Sequence, residues 1–310
     1  MTPRVAILIP CYNEQETIGA VVAEFRTHVP DCLIFVYDNA STDATVSTAS
    51  QAGAIVRSEP LRGKGNVVRR MFADIEADVY VLVDGDNTYD AASAPKLIDS
   101  LLKESLDLVS AARVDTAKDA YRTGHRFGNW LLTSTVAKLF GKRFTDMLSG
   151  YRVMSRRFVK SFPALAEGFE IETELTVHAL QLRVPMIEIP TPYRERPPGS
   201  FSKLRTFSDG VRILRTIVLL LKEERPMAFF GSVGALFAMV SIILGVSILG
   251  EFLKTGLVPR LPTAVLATGL MILAFLSFTC GLVLQSVARG RVELKRLHYS
   301  AIPIRFPRIK

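Results

Sequence analysis

Short apolar runs alternate with helical stripes through the first third of the chain. Val5–Ile9, Leu33–Tyr37, Ala54–Arg57 and Val79–Val83 read as buried strands. Between them, Ile18, Val21, Val22 and Phe25 recur at helical spacing, as do Val68, Met71, Phe72 and Ile75. Apolar residues three and four apart line one face of a helix, whereas short continuous apolar runs suit strands covered on both faces. Ser41 is placed to cap a helix over about 43–52. A helix over 95–103 and a strand over 108–111 continue the alternation, and after that the order loosens. This rhythm predicts an α/β fold with a parallel sheet and helices on both faces.

The pattern changes near the carboxyl end. Ala228 to Gly250 and Leu261 to Ala288 contain no charged residue. Each is long enough to cross a bilayer as a helix, which takes about 20 residues. Just before them, Leu204 to Leu221 interleaves arginines with Val211, Ile213, Leu214, Ile217 and Val218, the pattern of an interfacial amphipathic helix. The expected organisation is a domain over 1–202, an interfacial helix over 203–226, two spans within 227–288 (about 228–250 and 262–287) and a basic tail over 289–310. Small residues in the spans (Gly231, Gly234, Gly245, Ala267, Gly269) allow close helix approach, and a homo-oligomer through the membrane is expected on that ground.

Charge orients this arrangement. The net charge is +8, and the basic residues gather before the first span and after the second, with only Lys254 and Arg260 between. Positive flanks stay cytoplasmic, so both termini and the domain are expected on the cytoplasmic side of an inner membrane. Because the basic residues track the membrane boundaries, nucleic acid is not expected as a partner. Met1-Thr-Pro-Arg runs straight into a strand, so no secretory leader is expected. Cys11, Cys32 and Cys280 show neither a disulfide nor a zinc spacing and read as packing residues.

The candidate chemistry sits at strand ends. Ile9-Pro-Cys-Tyr-Asn-Glu14 follows the first strand, and Tyr37-Asp-Asn-Ala-Ser-Thr-Asp43 the second. Arg62-Gly-Lys-Gly65 opens a helix, and Asp84-Gly-Asp86 ends the fourth strand. In open α/β sheets, ligands gather at the carboxyl ends of strands. The polar groups of the first loop suit a base and ribose. Asp38 can accept a nucleobase N–H, which both uracil and guanine offer. Lys64 among glycines at a helix N-terminus suits phosphate, although the P-loop spacing is absent. Asp84 and Asp86 together suit a hard cation, Mg²⁺ or Mn²⁺, beside a diphosphate leaving group. Each motif alone fits a plain turn; four in order after successive strands argue for a site.

With these residues the chain resembles family 2 glycosyltransferases of the GT-A fold, a Rossmann-like mixed sheet. Within them it is similar to polyprenyl-phosphate sugar transferases of the dolichol-phosphate mannose synthase type. The resemblance runs from Val5 to about Arg225. It includes Asp146-Met-Leu-Ser-Gly-Tyr-Arg152, Gly168-Phe-Glu-Ile-Glu-Thr-Glu174 and Tyr193-Arg-Glu-Arg-Pro-Pro-Gly-Ser-Phe-Ser-Lys203. It implies a nucleotide-sugar site of Pro10, Tyr12, Asn13, Glu14, Asp38, Asn39, Lys64, Asp84 and Gly85, with Asp86 the main metal ligand. Such synthases commonly carry a glutamine where this chain has Thr88, which leaves that metal position to water or Asn87. The implied reaction moves a hexose from a UDP- or GDP-linked donor to a polyprenyl phosphate.

A lipid phosphate is largely a dianion at neutral pH, since its second ionisation lies near pH 6. It is already a nucleophile, so the site needs cations to position it more than a strong general base. Arg122 and Arg126, one helical turn apart, suit that clamp, as do Arg152, Arg196 and Lys203, because guanidinium binds phosphate bidentately. Ser149 and Ser202 lie in the same blocks and join the acceptor set. Asp146, Glu170, Glu172 and Glu174 fit sugar-hydroxyl contacts, arginine partners or surface carboxylates equally well. Asp146 also keeps open a transfer to a hydroxyl of a glycolipid or protein. A processive synthase would carry a Gln-x-x-Arg-Trp motif, which is absent. An inactive membrane scaffold would have no need of intact Asp84, Asp86 and Lys64.

Overall fold

The computed structural model describes residues 2–115, 134, 136–137, 144–168, 170–196, 215 and 218–303. Arg122, Arg126, Ser202 and Lys203 lie outside them, as does most of the expected interfacial helix. The chain divides into two compact units: Met1–Gly210 with Lys295–Lys310, and Val211–Leu294.

In the first unit, seven strands form one sheet in the order β3-β2-β1-β4-β6-β5-β7. They are β1 Val5–Cys11, β2 Leu33–Asp38, β3 Ile55–Ser58, β4 Val79–Leu82, β5 Leu108–Asp115, β6 Arg152–Ser155 and β7 Met186–Tyr193. All neighbouring pairs are parallel except those made by β6, which runs antiparallel to both β4 and β5. The expected parallel sheet is therefore a mixed one, as the family resemblance implied. The helices of the first half are α1 Ile18–His28, α2 Thr45–Gln51, α3 Lys64–Asp74 and α4 Ala94–Lys103. Each of α1 and α3 lays an apolar stripe on the sheet: Ile18, Val21, Val22 and Phe25 from one, Val67, Val68, Met71 and Phe72 from the other. Two further helices, α5 Arg156–Ser161 and α6 Ile171–Leu182, flank β6 and β7.

Strand order explains where the site falls. After β1 the chain builds outward through β2 and β3, then returns to pair β4 on the other side of β1. Loops leaving β1 and β4 thus part in opposite directions and open a crevice between them, the usual ligand position in such sheets. One local expectation differs. Ser41 does not cap α2; its Oγ accepts from Asn13 N at 2.9 Å instead. The α2 entrance is held by Asp43, whose Oδ1 accepts from Thr45 N at 3.0 Å.

Residues from Lys295 onward, at the end of the chain's final helix, cluster with this unit as well. Lys295 donates to Gln181 Oε1 at 2.9 Å, and Tyr299 OH donates to Asp107 Oδ2 at 2.6 Å. Asp107 is buried at the start of β5, the sheet end opposite the crevice. It also accepts from Ser155 Oγ and from the Arg157 guanidinium, each at 2.6 Å to Oδ1.

The second unit holds two helices, α7 Pro226–Thr255 and most of α8 Leu261–Ala301. Both are long and apolar enough to cross a membrane. Ile243, Val246, Leu253, Leu273, Phe275 and Leu282 stay exposed on them, as side chains do when lipid rather than water covers them. Residues 218–224 before them are helical, with Val218 and Leu219 exposed. The small residues divide into two groups. Gly234 is buried, and a Cβ there would come within 3.0 Å of Ala274 O. Ser241 Oγ donates to Ala267 O at 2.7 Å, so these positions serve the pairing of α7 with α8. Gly245 and Gly269 face open space.

Candidate active site

A cavity of about 310 Å³ opens at the crevice. It is lined by Pro10, Cys11, Tyr12 and Glu14 after β1, and by Asn39 after β2. Arg62, Gly63, Lys64 and Val67 line it at the start of α3, Asp84, Gly85 and Asp86 after β4, and Arg196 after β7. The four strand-end motifs singled out in the sequence therefore meet in one place.

The loops are cross-braced by their own polar groups. Asn13, with a left-handed φ of 51°, accepts from Thr42 N at 2.9 Å and so ties the β1 loop to the β2 loop. Glu14 N donates to Thr45 Oγ1 at 2.8 Å. Asn39 Nδ2 donates to the carbonyls of Glu59 and Leu61, and its Oδ1 accepts from Gly63 N at 2.7 Å. Asn39 thus shapes the Arg62–Lys64 turn while lining the pocket. Asp38 is buried at the end of β2, and its carboxylate accepts from Ser41 N at 3.2 Å. Arg62 stacks over the Tyr12 ring, 5.4 Å from its centre, and gives the cavity a flat cationic surface. Gly63 has φ +123°, and a Cβ on Gly63 or Gly65 would strike the carbonyls of Glu167 or Ala166. Only glycines let the 166–167 backbone approach α3 so closely. Glu174 pins that backbone by accepting from Leu165 N and Ala166 N.

The carboxylates are already paired with cations. Lys64 bridges Asp84 Oδ1 and Glu172 Oε1. Burial disfavours the charge on Lys64, but the two carboxylates outweigh it and hold its pKa above the ordinary lysine value. Arg196 Nη2 lies 2.6 Å from Asp86 Oδ2. Burial, with the nearby Asp84 charge, raises the Asp86 pKa despite Arg196. Thr88 donates to Asp86 Oδ1 from its hydroxyl at 2.6 Å and from its N at 3.2 Å, and so orients the carboxylate. A Cβ on Gly150 would come within 2.9 Å of Asp84 Cγ, so the turn after Ser149 forms a close floor beneath the Asp84 carboxylate.

These donors fit a divalent cation. Asp84 and Asp86 offer hard oxygens at a point that already attracts two cationic side chains. Among the described residues, no group of three His, Cys, Asp or Glu side chains gathers as a metal cluster. A cation here would complete its shell with phosphate oxygens and water, the usual habit of Mg²⁺.

The second half of the expected site is used differently. Asp146 is held bidentately by Arg113, at 2.7 Å to each oxygen. Burial would raise its pKa, but the Arg113 bonds and charge prevail and hold it below the ordinary carboxylate value. Of the three roles open to it, arginine partner is the one these bonds display. Ser149 is buried and donates to Ala111 O at 2.5 Å. Arg152 corrects its expectation as a phosphate clamp. It sits in β6 with no exposure, and its guanidinium donates to Ser149 O at 3.1 Å and Met147 O at 2.7 Å. Its remaining guanidinium nitrogen, Nη1, is buried without a hydrogen-bond partner among the described residues. Arg62 and Gly150 were not among the expected site residues, and Glu172, weighed with three other carboxylates, was not expected as the Lys64 partner. Arg62 was legible as part of the Arg62–Gly65 motif; the other two depend on contacts that no local pattern announces.

The sequence model of Glycosyl transferase family 2 matches residues 6–162, and the chain belongs to that family. It is a glycosyltransferase built on a GT-A-like mixed sheet. Glycosyltransferase AglJ of Haloferax volcanii is 35% identical over 79% of this chain and 80% of its own length. A dolichyl-phosphate hexose transferase of the same organism is 28% identical over 71% and 95%. Among solved structures, glucosyl-3-phosphoglycerate synthase of Mycobacterium tuberculosis, bound to Mn²⁺, UDP-glucose and phosphoglyceric acid, superposes with a TM-score of 0.58. It is 25% identical, over 71% of this chain and 79% of that one.

Proposed function

We propose that this enzyme transfers a hexose from a UDP- or GDP-linked donor to a polyprenyl phosphate at the cytoplasmic face of the inner membrane. The observation that carries the reading is the meeting of Asp84, Asp86, Lys64 and Arg196 at the strand ends of one cavity. A relative named for dolichyl-phosphate hexose transfer supports the lipid acceptor. A structural neighbour holding Mn²⁺ and UDP-glucose supports a metal-dependent nucleotide-sugar donor. The two apolar helices keep such an enzyme at the surface where the acceptor head group lies.

Asp84 and Asp86 would hold Mg²⁺ or Mn²⁺, which neutralises charge on the departing diphosphate. Tyr12 and Arg62 flank the base, and Asp38 supports the loop below it. Arg196, with Arg122, Arg126, Ser202 and Lys203, which lie outside the described residues, positions the acceptor phosphate. A phosphate oxygen of the lipid attacks the anomeric carbon as the bond to the diphosphate breaks, and the nucleoside diphosphate leaves. Configuration inverts, so an α-linked donor gives a β-linked lipid phosphate hexose. No proton need be removed from a dianionic acceptor, in keeping with Asp146 being committed to Arg113.

The test is turnover of the purified full chain in detergent with undecaprenyl phosphate, Mg²⁺ or Mn²⁺, and a panel of UDP- and GDP-hexoses. One donor should give a metal-dependent lipid phosphate hexose. Donor hydrolysis alone, or transfer only to an added glycolipid hydroxyl, overturns the reading.

A further inference from the structure

Both oxygens of Asp86 are engaged. Thr88 holds Oδ1 from two donors, and Arg196 holds Oδ2 at 2.6 Å. Thr88 is buried, whereas the Arg196 side chain is 31% exposed at the cavity wall. A divalent cation that takes Asp86 Oδ2 therefore competes with the guanidinium for that oxygen. The backbone that carries Arg196 is anchored two residues earlier. Arg194 N donates to Thr88 O at 2.8 Å, and its guanidinium bonds Asp90 at 2.9 Å and Glu24 at 3.3 Å. Exchange at Asp86 thus needs the Arg196 side chain to swing, not the strand to move.

We propose that Arg196 is an exchangeable counterion: it holds Asp86 before the metal arrives, yields Oδ2 to the metal, and turns to a phosphate group entering the same cavity. The inference rests on reading Asp84 and Asp86 as metal ligands. Charge makes the exchange depend on the phosphate. Among the described residues, Asp84, Asp86 and Glu172 against Lys64 and Arg196 leave the ion-paired cluster at net minus one. A divalent cation added beside a displaced guanidinium brings it to plus one, a state that favours an arriving anion. Metal and phosphate then strengthen each other's binding by the same factor, as linkage requires. Without the phosphate, the metal competes against a cation at hydrogen-bond distance.

Mn²⁺ binding, followed by the EPR signal of the free ion, tests this without turnover. The full-length wild type, Arg196→Gln, Arg196→Lys and Asp86→Asn are titrated alone, with UDP, and with undecaprenyl phosphate, after thermal melts confirm folding. Alone, Arg196→Gln should bind Mn²⁺ roughly tenfold more tightly than wild type, because a charge-assisted competitor is gone. Arg196→Lys should fall between. UDP or the lipid phosphate should tighten Mn²⁺ binding in wild type and much less in Arg196→Gln; whichever ligand does so identifies the phosphate Arg196 meets. Equal or weaker Mn²⁺ binding by Arg196→Gln, with Asp86→Asn still impaired, overturns the exchange and leaves the metal site standing. Unimpaired binding by Asp86→Asn removes the metal site and the exchange with it.

Discussion

The two halves of the sheet use most of their polar residues in opposite ways, although Arg196, just after β7, reaches the cavity from the second half. In the β3-β2-β1-β4 half, polar side chains stand on loops beyond parallel strand ends and border the cavity. In the β6-β5-β7 half, the equally conspicuous Asp146, Ser149 and Arg152 are buried and spent on internal bonds. Parallel strands entering from one side deliver all their exits to one edge, so sequence order translates into a site. Antiparallel β6 reverses direction between β4 and β5. Asp146 and Ser149 lie just before it and Arg152 opens it; Arg113, Ala111 O and the carbonyls of Ser149 and Met147 take up their hydrogen bonds, while Arg152 Nη1 has no partner among the described residues.

Substitutions test that contrast directly. The largest effect is expected for Asp86→Ala, which should lower sugar transfer by at least about 100-fold by removing transition-state charge stabilisation. Its melting temperature should hold, since the loss also relieves a buried carboxylate. Unchanged transfer would end the claim that the first half carries the chemistry. Gly150→Ala comes next. Its methyl group would press on Asp84 from the second half, and transfer should fall roughly tenfold as Asp84 is displaced, the scale at which small misplacements act. Wild-type kcat in this variant would show that the floor beneath Asp84 yields freely.

Arg152→Met probes the contrast from the other side. It strips donors from the carbonyls of Met147 and Ser149, and chemical denaturation should show a loss of about 2–3 kcal/mol. The KM for lipid phosphate, measured on the folded fraction, should stay within about twofold. A large rise in KM would restore Arg152 as a phosphate ligand. Asp146→Asn should cost the least, about 1.5–2 kcal/mol at neutral pH, for a hydrogen-bonded charge pair. Its pH dependence carries a sign. A carboxyl whose folded pKa is depressed contributes stability that is present above its unfolded value, about 3.9, and is lost as pH falls through the lower folded value. Wild type should therefore lose stability below about pH 4 more steeply than Asp146→Asn. Parallel acid limbs would mean that the Arg113 pair contributes nothing.

Much of the first half is legible in the amino-acid sequence alone. The expected strands at 5–9, 33–37 and 79–83 each fall within or beside an observed one, and the helical stripes pack as expected. The motif residues Pro10, Tyr12, Glu14, Asn39, Lys64, Asp84, Gly85 and Asp86 all reach the cavity. Two roles are not legible there. Lys64 has the look of a phosphate ligand at a helix start, yet it bridges two carboxylates, one of them 108 residues away. Ser41 has the look of a helix cap, yet it accepts from Asn13 across the neighbouring loop. In both cases the local pattern identifies a polar group that needs a partner but not which partner the fold supplies.

Local patterning along the chain is enough to set the α/β alternation, the strand-end loops and the two apolar helices. Hydrophobic periodicity and turn chemistry act over a few residues and need no knowledge of the rest of the chain. The antiparallel course of β6, the interior place of Arg152 and the pairing of Asp146 with Arg113 emerge only when the chain is folded. The same holds for Arg196 meeting Asp86 and for the division of the span glycines between packed and open positions. Those outcomes depend on which distant segments the sheet order brings together. Once buried, a charge must take the counterion that lies within reach.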